Sequence, residues 1–220
     1  MKLFLDTADV NAIKELNEIL DIDGVTTNPS IIAKTKLDPQ KVIQDILNIL
    51  SEDQLLFVQV IANDVEGMIK EAKYINGLGK NVYVKIPATT NGLKAIKLAH
   101  NLGLRVLATA IYSPTQALLA AKNGANCLAP YVNRMCNYGD GINEVIDLQK
   151  MLDNYHFDSY ILAASFKNVN QVYALWKAGI EAVTIPVDVA YNLFKSPLVD
   201  NAVTDFEKAW SDTYQRHTLI

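Results

Sequence analysis

Hydrophobic and polar positions along the chain alternate between two periods. Short runs rich in β-branched and aromatic residues are each followed by a longer stretch with apolar residues three and four apart. The short runs predict eight strands, at 3–7, 24–28, 55–61, 81–86, 105–111, 126–131, 160–165 and 182–186. Helices are predicted near 9–20, 38–50, 64–77, 91–101, 113–123, 141–155, 168–178 and 187–195. Asn91, Ser113 and Asn168 suit the capping positions of three of them. Gly79, Gly103, Gly124 and Gly179 follow helix ends, where a left-handed residue turns the chain into the next strand. The repeating unit is βα.

Eight such units predict an α/β fold, either an open doubly wound sheet or a closed (β/α)8 TIM barrel, and 220 residues suffice for the barrel as one domain. No GxGxxG follows the first strand and no GxxxxGK[ST] occurs, which removes the usual nucleotide-binding reasons for an open sheet. The barrel is the expected architecture.

A barrel gathers its chemistry at the carboxyl ends of its strands. Those ends carry, in order, Asp6, Thr26 with Asn28, Gln59, Lys85, Thr109, Tyr131 and Ser165, so seven of the eight strands finish on polar side chains. Strand side chains alternate between faces, which sets Lys85 with Tyr83 and turns Val82, Val84 and Ile86 the other way. By the same parity Asp6 goes with Phe4, Gln59 with Phe57, Thr109 with Leu107, Tyr131 with Ala129 and Ser165 with Ala163, all towards the axis.

Lys85, in the stretch NVYVKIPATTNG, is thus expected inside the barrel near its mouth. Burial disfavours the ammonium form and makes a free amine available at neutral pH. Such an amine can form a Schiff base, whose iminium stabilises the carbanion left when a C–C bond breaks. A structural lysine ion-paired with Asp6 fits the same position, and at this point both readings stand. An imine mechanism also needs a proton shuttle, and Asp6, with Gln59, Thr109 and Tyr131 holding a water, offers the residue types for one. Lys167 also follows a strand, but beyond its end and near solvent, where it stays charged.

A net charge of −4, with lysines spread along the chain, lacks the footprint of a nucleic-acid binder and favours a small-molecule partner. The opening segment lacks the apolar run of a secretory signal and no later stretch could span a bilayer, so a cytoplasmic location is expected. Cys127 and Cys136 are expected to be core thiols without a disulfide. His100, His156 and His217 fall on or beside helices without ligand spacing, so neither a metal nor another cofactor is expected.

The segments LDTAD, GVTTNPSI, VKIPAT, APYVNR and AASFKN together resemble the transaldolase family of class I aldolases over nearly the whole chain. Gln59 in FVQVIA, the run LATAIY and Tyr131 look like the fructose-6-phosphate aldolase branch, since transaldolases usually carry glutamate and phenylalanine where Gln59 and Tyr131 stand. The resemblance implies that Lys85 forms the Schiff base and that Asp6 is a polar partner placing the dihydroxyacetone unit. It further implies that Thr26, Asn28 and Ser165 hold hydroxyls or phosphate, that Gln59, Thr109 and Tyr131 orient the catalytic water, and that Arg134 meets the substrate phosphate. A guanidinium fork just past the sixth strand suits that last role, and the amides around Lys167 and Asn168 open a helix whose N-terminus favours an anion.

The implied reaction is reversible cleavage of fructose 6-phosphate to dihydroxyacetone and glyceraldehyde 3-phosphate. A transaldolase moving the same unit between sugar phosphates of the pentose phosphate pathway is the alternative. A barrel that isomerises or binds a sugar phosphate without a covalent adduct is the alternative from another class. Residues 198–220 predict a further helix with Val203, Phe206 and Trp210 on one face, which either folds back on its own barrel or reaches over a neighbouring subunit. The resemblance implies the latter, in a five-membered ring with two rings stacked as a homo-decamer.

Overall fold

The computed structural model describes residues 1–220, and eight parallel strands close into a barrel in sequence order, with β8 returning to β1. In chain order the elements are β1 (Lys2–Asp6), α1 (Val10–Ile19), β2 (Gly24–Thr26), α2 (Pro29–Lys34), α3 (Pro39–Leu47), β3 (Leu55–Gln59), α4 (Val65–Gly77), β4 (Val82–Pro87), α5 (Thr90–Asn101) and β5 (Val106–Ile111). They continue with α6 (Pro114–Lys122), β6 (Cys127–Pro130), α7 (Val132–Cys136), α8 (Gly141–Asn154), β7 (Tyr160–Ala163), α9 (Val169–Lys177), β8 (Ala182–Ile185), α10 (Val187–Asn192) and α11 (Pro197–Tyr214). This is the (β/α)8 barrel that the alternating periods predict. The short helices α2 and α7 went unpredicted, because five or six residues are too few for a helical period to register.

Two apolar layers hold the barrel. Val82, Val84 and Ile86 join the large cluster between strands and helices. Phe4, Phe57, Leu107, Cys127 and Ala129 form the inner cluster, with Tyr83 and Tyr131 against it. Phe4 meets Phe57 edge to face at 5.5 Å between centroids, and Phe57 meets Tyr83 at 5.1 Å, so aromatic rings fill the axis. Such pairs add about 0.5–1.5 kcal/mol each beyond their burial. Both cysteines are free thiols, Cys127 buried and Cys136 half-buried.

One inward-facing expectation is corrected. Ala163 belongs to the outer cluster, whereas Tyr160, Leu162 and Ala164 face the axis, so Ser165 does not point inward by parity with Ala163 as expected. β7 ends at Ala163, and Ser165 adopts the left-handed conformation with φ 63°, which breaks the strand's period and redirects its side chain. Two smaller expectations are also corrected. Thr89, not Asn91, caps α5, whereas Ser113 and Asn168 cap α6 and α9 as predicted. Gly103, Gly124 and Gly179 take positive φ, but Gly79 does not.

No residue of α11 is buried, so the helix does not fold back into its own barrel's core. Phe206 is 70 % exposed and Leu198 78 %. No helix of the chain is long and apolar enough to cross a membrane.

Candidate active site

At the carboxyl ends of the strands lies a cavity of 610 Å³. Its wall brings together Asp6, Gln59 and Lys85 from the ends of β1, β3 and β4, with Tyr131 just past β6. Asn28, Arg134 and Ser165 join them from the segments that follow β2, β6 and β7. Thr26 and Thr109, both fully buried, stand behind this wall.

Register explains the convergence. Gln59 pairs with Lys85 across β3 and β4, and Asp6 pairs with Thr26 across β1 and β2. Lys85 is 3 % exposed, and its Nζ donates to the carbonyl of Thr27 at 2.8 Å. It forms no ion pair with Asp6, since the molecule's four ion pairs involve other residues. Burial pushes the Lys85 amine below the ordinary lysine range, against the opposing pull of the Asp6 charge. Of the two readings of Lys85, the structural ion pair is therefore not formed.

A lowered amine has a measurable signature. The free-base fraction of Lys85 rises with pH and is complete above its folded-state value, which lies below 10.5. Reductive labelling of Lys85 by a ketone is therefore expected to level off at a pH below that of an exposed lysine. A labelling rate that keeps climbing to pH 10.5 would contradict the burial argument.

Tyr131 and Thr109 share a hydrogen bond of 3.2 Å between their hydroxyls. Burial raises the Tyr131 phenol, which the Thr109 contact only partly offsets, so it keeps its proton and is available as a donor. Gln59 and Tyr131 both line the cavity beside Lys85, which suits the placing of a water.

The outer rim is cationic. Arg134, on α7, donates from one guanidinium nitrogen to the Tyr112 hydroxyl at 2.9 Å and lies over the Tyr131 ring at 5.4 Å. Its remaining donors are available to an anion. Lys167 is exposed at the same rim. Its backbone amide is taken by Gln171 Oε1 at 2.9 Å, so it is not the free anion-binding amide that the sequence suggests. Asn28 caps α2, accepting from the Ile31 amide at 3.0 Å, which leaves its NH2 group for a ligand. Thr26 does not line the cavity, because its hydroxyl is committed to Asp6 Oδ1 at 2.7 Å and to Thr184 at 2.7 Å.

Three participants escaped the sequence reading. Thr184 follows the inward parity of Ala182, and its polar side chain on the inner face of β8 is the signal by which it could be found. Thr27 contributes a backbone carbonyl, for which no side-chain signal exists. Tyr112, just past β5, anchors Arg134.

These residues place a buried amine, a carboxylate, a protonated phenol and a guanidinium around one cavity. The sequence matches the family model described as Transaldolase/Fructose-6-phosphate aldolase over residues 3–219. Among solved structures, one described as "Native KDPGal structure" is similar at a TM-score of 0.57 and 14% identity, over 84% of this chain and 82% of that one. Another, described as "Structure of a cube-shaped, highly porous protein cage designed by fusing symmetric oligomeric domains", is similar at 0.59 and 13% identity, over 97% of this chain and 78% of that one. At these identities the two structures bear on the fold alone.

Proposed function

The chain belongs to the transaldolase/fructose-6-phosphate aldolase family, and from that premise we propose that it reversibly cleaves fructose 6-phosphate to dihydroxyacetone and glyceraldehyde 3-phosphate through a Schiff base on Lys85. The observation that carries this reading is the buried, ion-pair-free Lys85 amine at the wall of the mouth cavity.

The Lys85 amine adds to the ketose carbonyl, and loss of water gives the iminium. Asp6 takes the proton of the C4 hydroxyl as the C3–C4 bond breaks, and the bonding pair moves into the iminium to leave an enamine. The C4 oxygen becomes the aldehyde of the departing glyceraldehyde 3-phosphate. The enamine is then protonated at C3, and a water placed by Gln59, Thr109 and Tyr131 hydrolyses the imine to release dihydroxyacetone and restore Lys85. Arg134, with Ser165 and Asn28, suits the phosphate and hydroxyls of the substrate, since a guanidinium matches phosphate oxygens with paired donors. Thr26 acts through Asp6 rather than on the sugar.

Borohydride with dihydroxyacetone or fructose 6-phosphate should leave a mass increase on the peptide containing Lys85. Absence of any adduct would remove both covalent readings and leave the isomerase or binding barrel.

A transaldolase shares every covalent step and differs in keeping the three-carbon unit for a second sugar. Tyr131 favours the lyase, because a buried phenol that holds its proton can assist hydrolysis of the retained imine. Tyr131→Phe is accordingly expected to lower free dihydroxyacetone release by about tenfold or more, while transfer to erythrose 4-phosphate persists. Equal loss of release and transfer would count against this division of labour.

We also assign α11 to a neighbouring subunit, because Leu198, Val203 and Phe206 stand exposed on it, and we take the pentameric ring that doubles to a decamer from the family resemblance alone. Two free thiols suit a reducing compartment, here the cytoplasm.

A further inference from the structure

We propose that Thr184 is a positioning residue for the cleavage step, which fixes the Asp6 carboxylate through the Thr26 hydroxyl. The proposal rests on the reading above in one respect, that Asp6 takes the C4 proton.

Thr184 and Thr26 are 1 % and 0 % exposed, and their hydroxyl oxygens lie 2.7 Å apart. Thr26 Oγ1 also lies 2.7 Å from Asp6 Oδ1. Each threonine has one hydroxyl proton. An ionised carboxylate can only accept, so the Thr26 proton is committed to Asp6, and the proton shared by the two threonines must come from Thr184. The chain therefore has a single polarity, Thr184 to Thr26 to Asp6, while Asp6 is ionised.

The topology makes this a brace. β8 and β2 flank β1 on either side. Thr184 is in register with Phe4 and Thr26 with Asp6, so the bond between the threonines steps across the inner face of β1, below the carboxylate. Thr26 makes the side-chain hydrogen bond to Asp6 Oδ1, which leaves Oδ2 as the oxygen free to receive a proton from the cavity. Donation from Thr184 stops the Thr26 hydroxyl from rotating away and polarises it towards the carboxylate. Packing does not require a hydroxyl here, because valine has nearly the shape of threonine and would take the same place on the inner face of β8 without a buried polar atom.

Because Thr184 acts through Asp6 and not through Lys85, its loss should spare adduct formation and slow cleavage. Thr184→Val is expected to form the borohydride-trapped Lys85 adduct with dihydroxyacetone at the wild-type rate. Its kcat for cleavage should fall about tenfold, the size expected for one buried hydrogen bond, with KM unchanged. Thr184→Ser, which keeps the hydroxyl, should recover most of that kcat. Comparable losses in both variants, or a Thr184→Val variant that cleaves like the wild type, would overturn the proposal. Melting temperatures of both variants show whether unfolding accounts for a loss, and a Thr184→Val fold melting far lower than Thr184→Ser would likewise overturn a purely positioning role.

Asp6→Asn, measured alongside, separates this proposal from its premise. An Asp6→Asn enzyme with full cleavage activity removes Asp6 from the chemistry and the brace with it. An inert Asp6→Asn enzyme beside an unimpaired Thr184→Val enzyme leaves Asp6 in place and removes only the brace.

Discussion

Lys85→Met is expected to lose the borohydride-trapped adduct completely and to cleave fructose 6-phosphate more slowly by a factor on the order of 10⁴ or more, while melting no lower than the wild type. The first half follows from the imine, since methionine copies the length of the side chain without the nitrogen. The second half follows from burial. The substitution forfeits the hydrogen bond from Nζ to the Thr27 carbonyl, which stabilises the fold by about 1–3 kcal/mol at most. It also removes an amine whose charged form is disfavoured by several kcal/mol in an interior that is 97 % closed to water, counting from its 3 % exposure. Relief of that penalty offsets the lost bond. A lysine kept for structure would behave oppositely, with the fold failing as soon as the charge was removed. Calorimetry together with peptide mass mapping distinguishes the two: inactivity with an intact melting transition supports the nucleophile, and inactivity with a collapsed transition does not.

How much of this was legible in the sequence depended on how straight the backbone runs. Asp6 and Gln59 end regular strands and Lys85 lies two residues before the end of another, and two-residue alternation from Phe4, Phe57 and Tyr83 places them correctly at the mouth. Past a strand's last regular residue the same rule loses its basis. Ser165 reaches the cavity through a left-handed residue that no alternation describes. β5 carries a comparable irregularity, with Ala110 at φ 55° and a register shift between Ala108 and Ile111 just after Thr109. The residues missed outright differ in kind. Thr184 offered a signal, a polar side chain on the inner parity of β8, whereas Thr27 acts only through its carbonyl. The apolar stripe of α11 was readable as a face in search of a partner, but which surface covers it is not encoded in the stripe itself.

Gly92→Ala tests whether the helix behind Lys85 is as tightly seated as the site requires, and here two effects compete. Within a helix alanine is preferred to glycine by about 1 kcal/mol, so α5 considered alone would gain. A Cβ at this position, however, falls 1.7 Å from the Pro87 carbonyl oxygen and 2.9 Å from its carbon. Both atoms are backbone at the end of β4, and the oxygen already accepts from the Thr89 amide, so no side chain can swing aside. Restoring ordinary contact requires α5 to move outward by roughly 1.5 Å, which lifts the fully buried Ala95, Ile96 and Ala99 from their seats. Overpacking of this kind costs about 1–3 kcal/mol, and opening the layer behind it adds to that. The steric term wins, and a net loss of about 3 kcal/mol corresponds to a melting temperature lower by roughly 6–12 °C for a chain of this size. Because Pro87 is two residues from Lys85 on the same strand, part of the displacement should reach the nucleophile, so cleavage should slow even at temperatures where the variant is folded. A Gly92→Ala protein that melts higher than the wild type, as helix propensity alone demands, would show that α5 is free to retreat and does not hold the end of β4 in place.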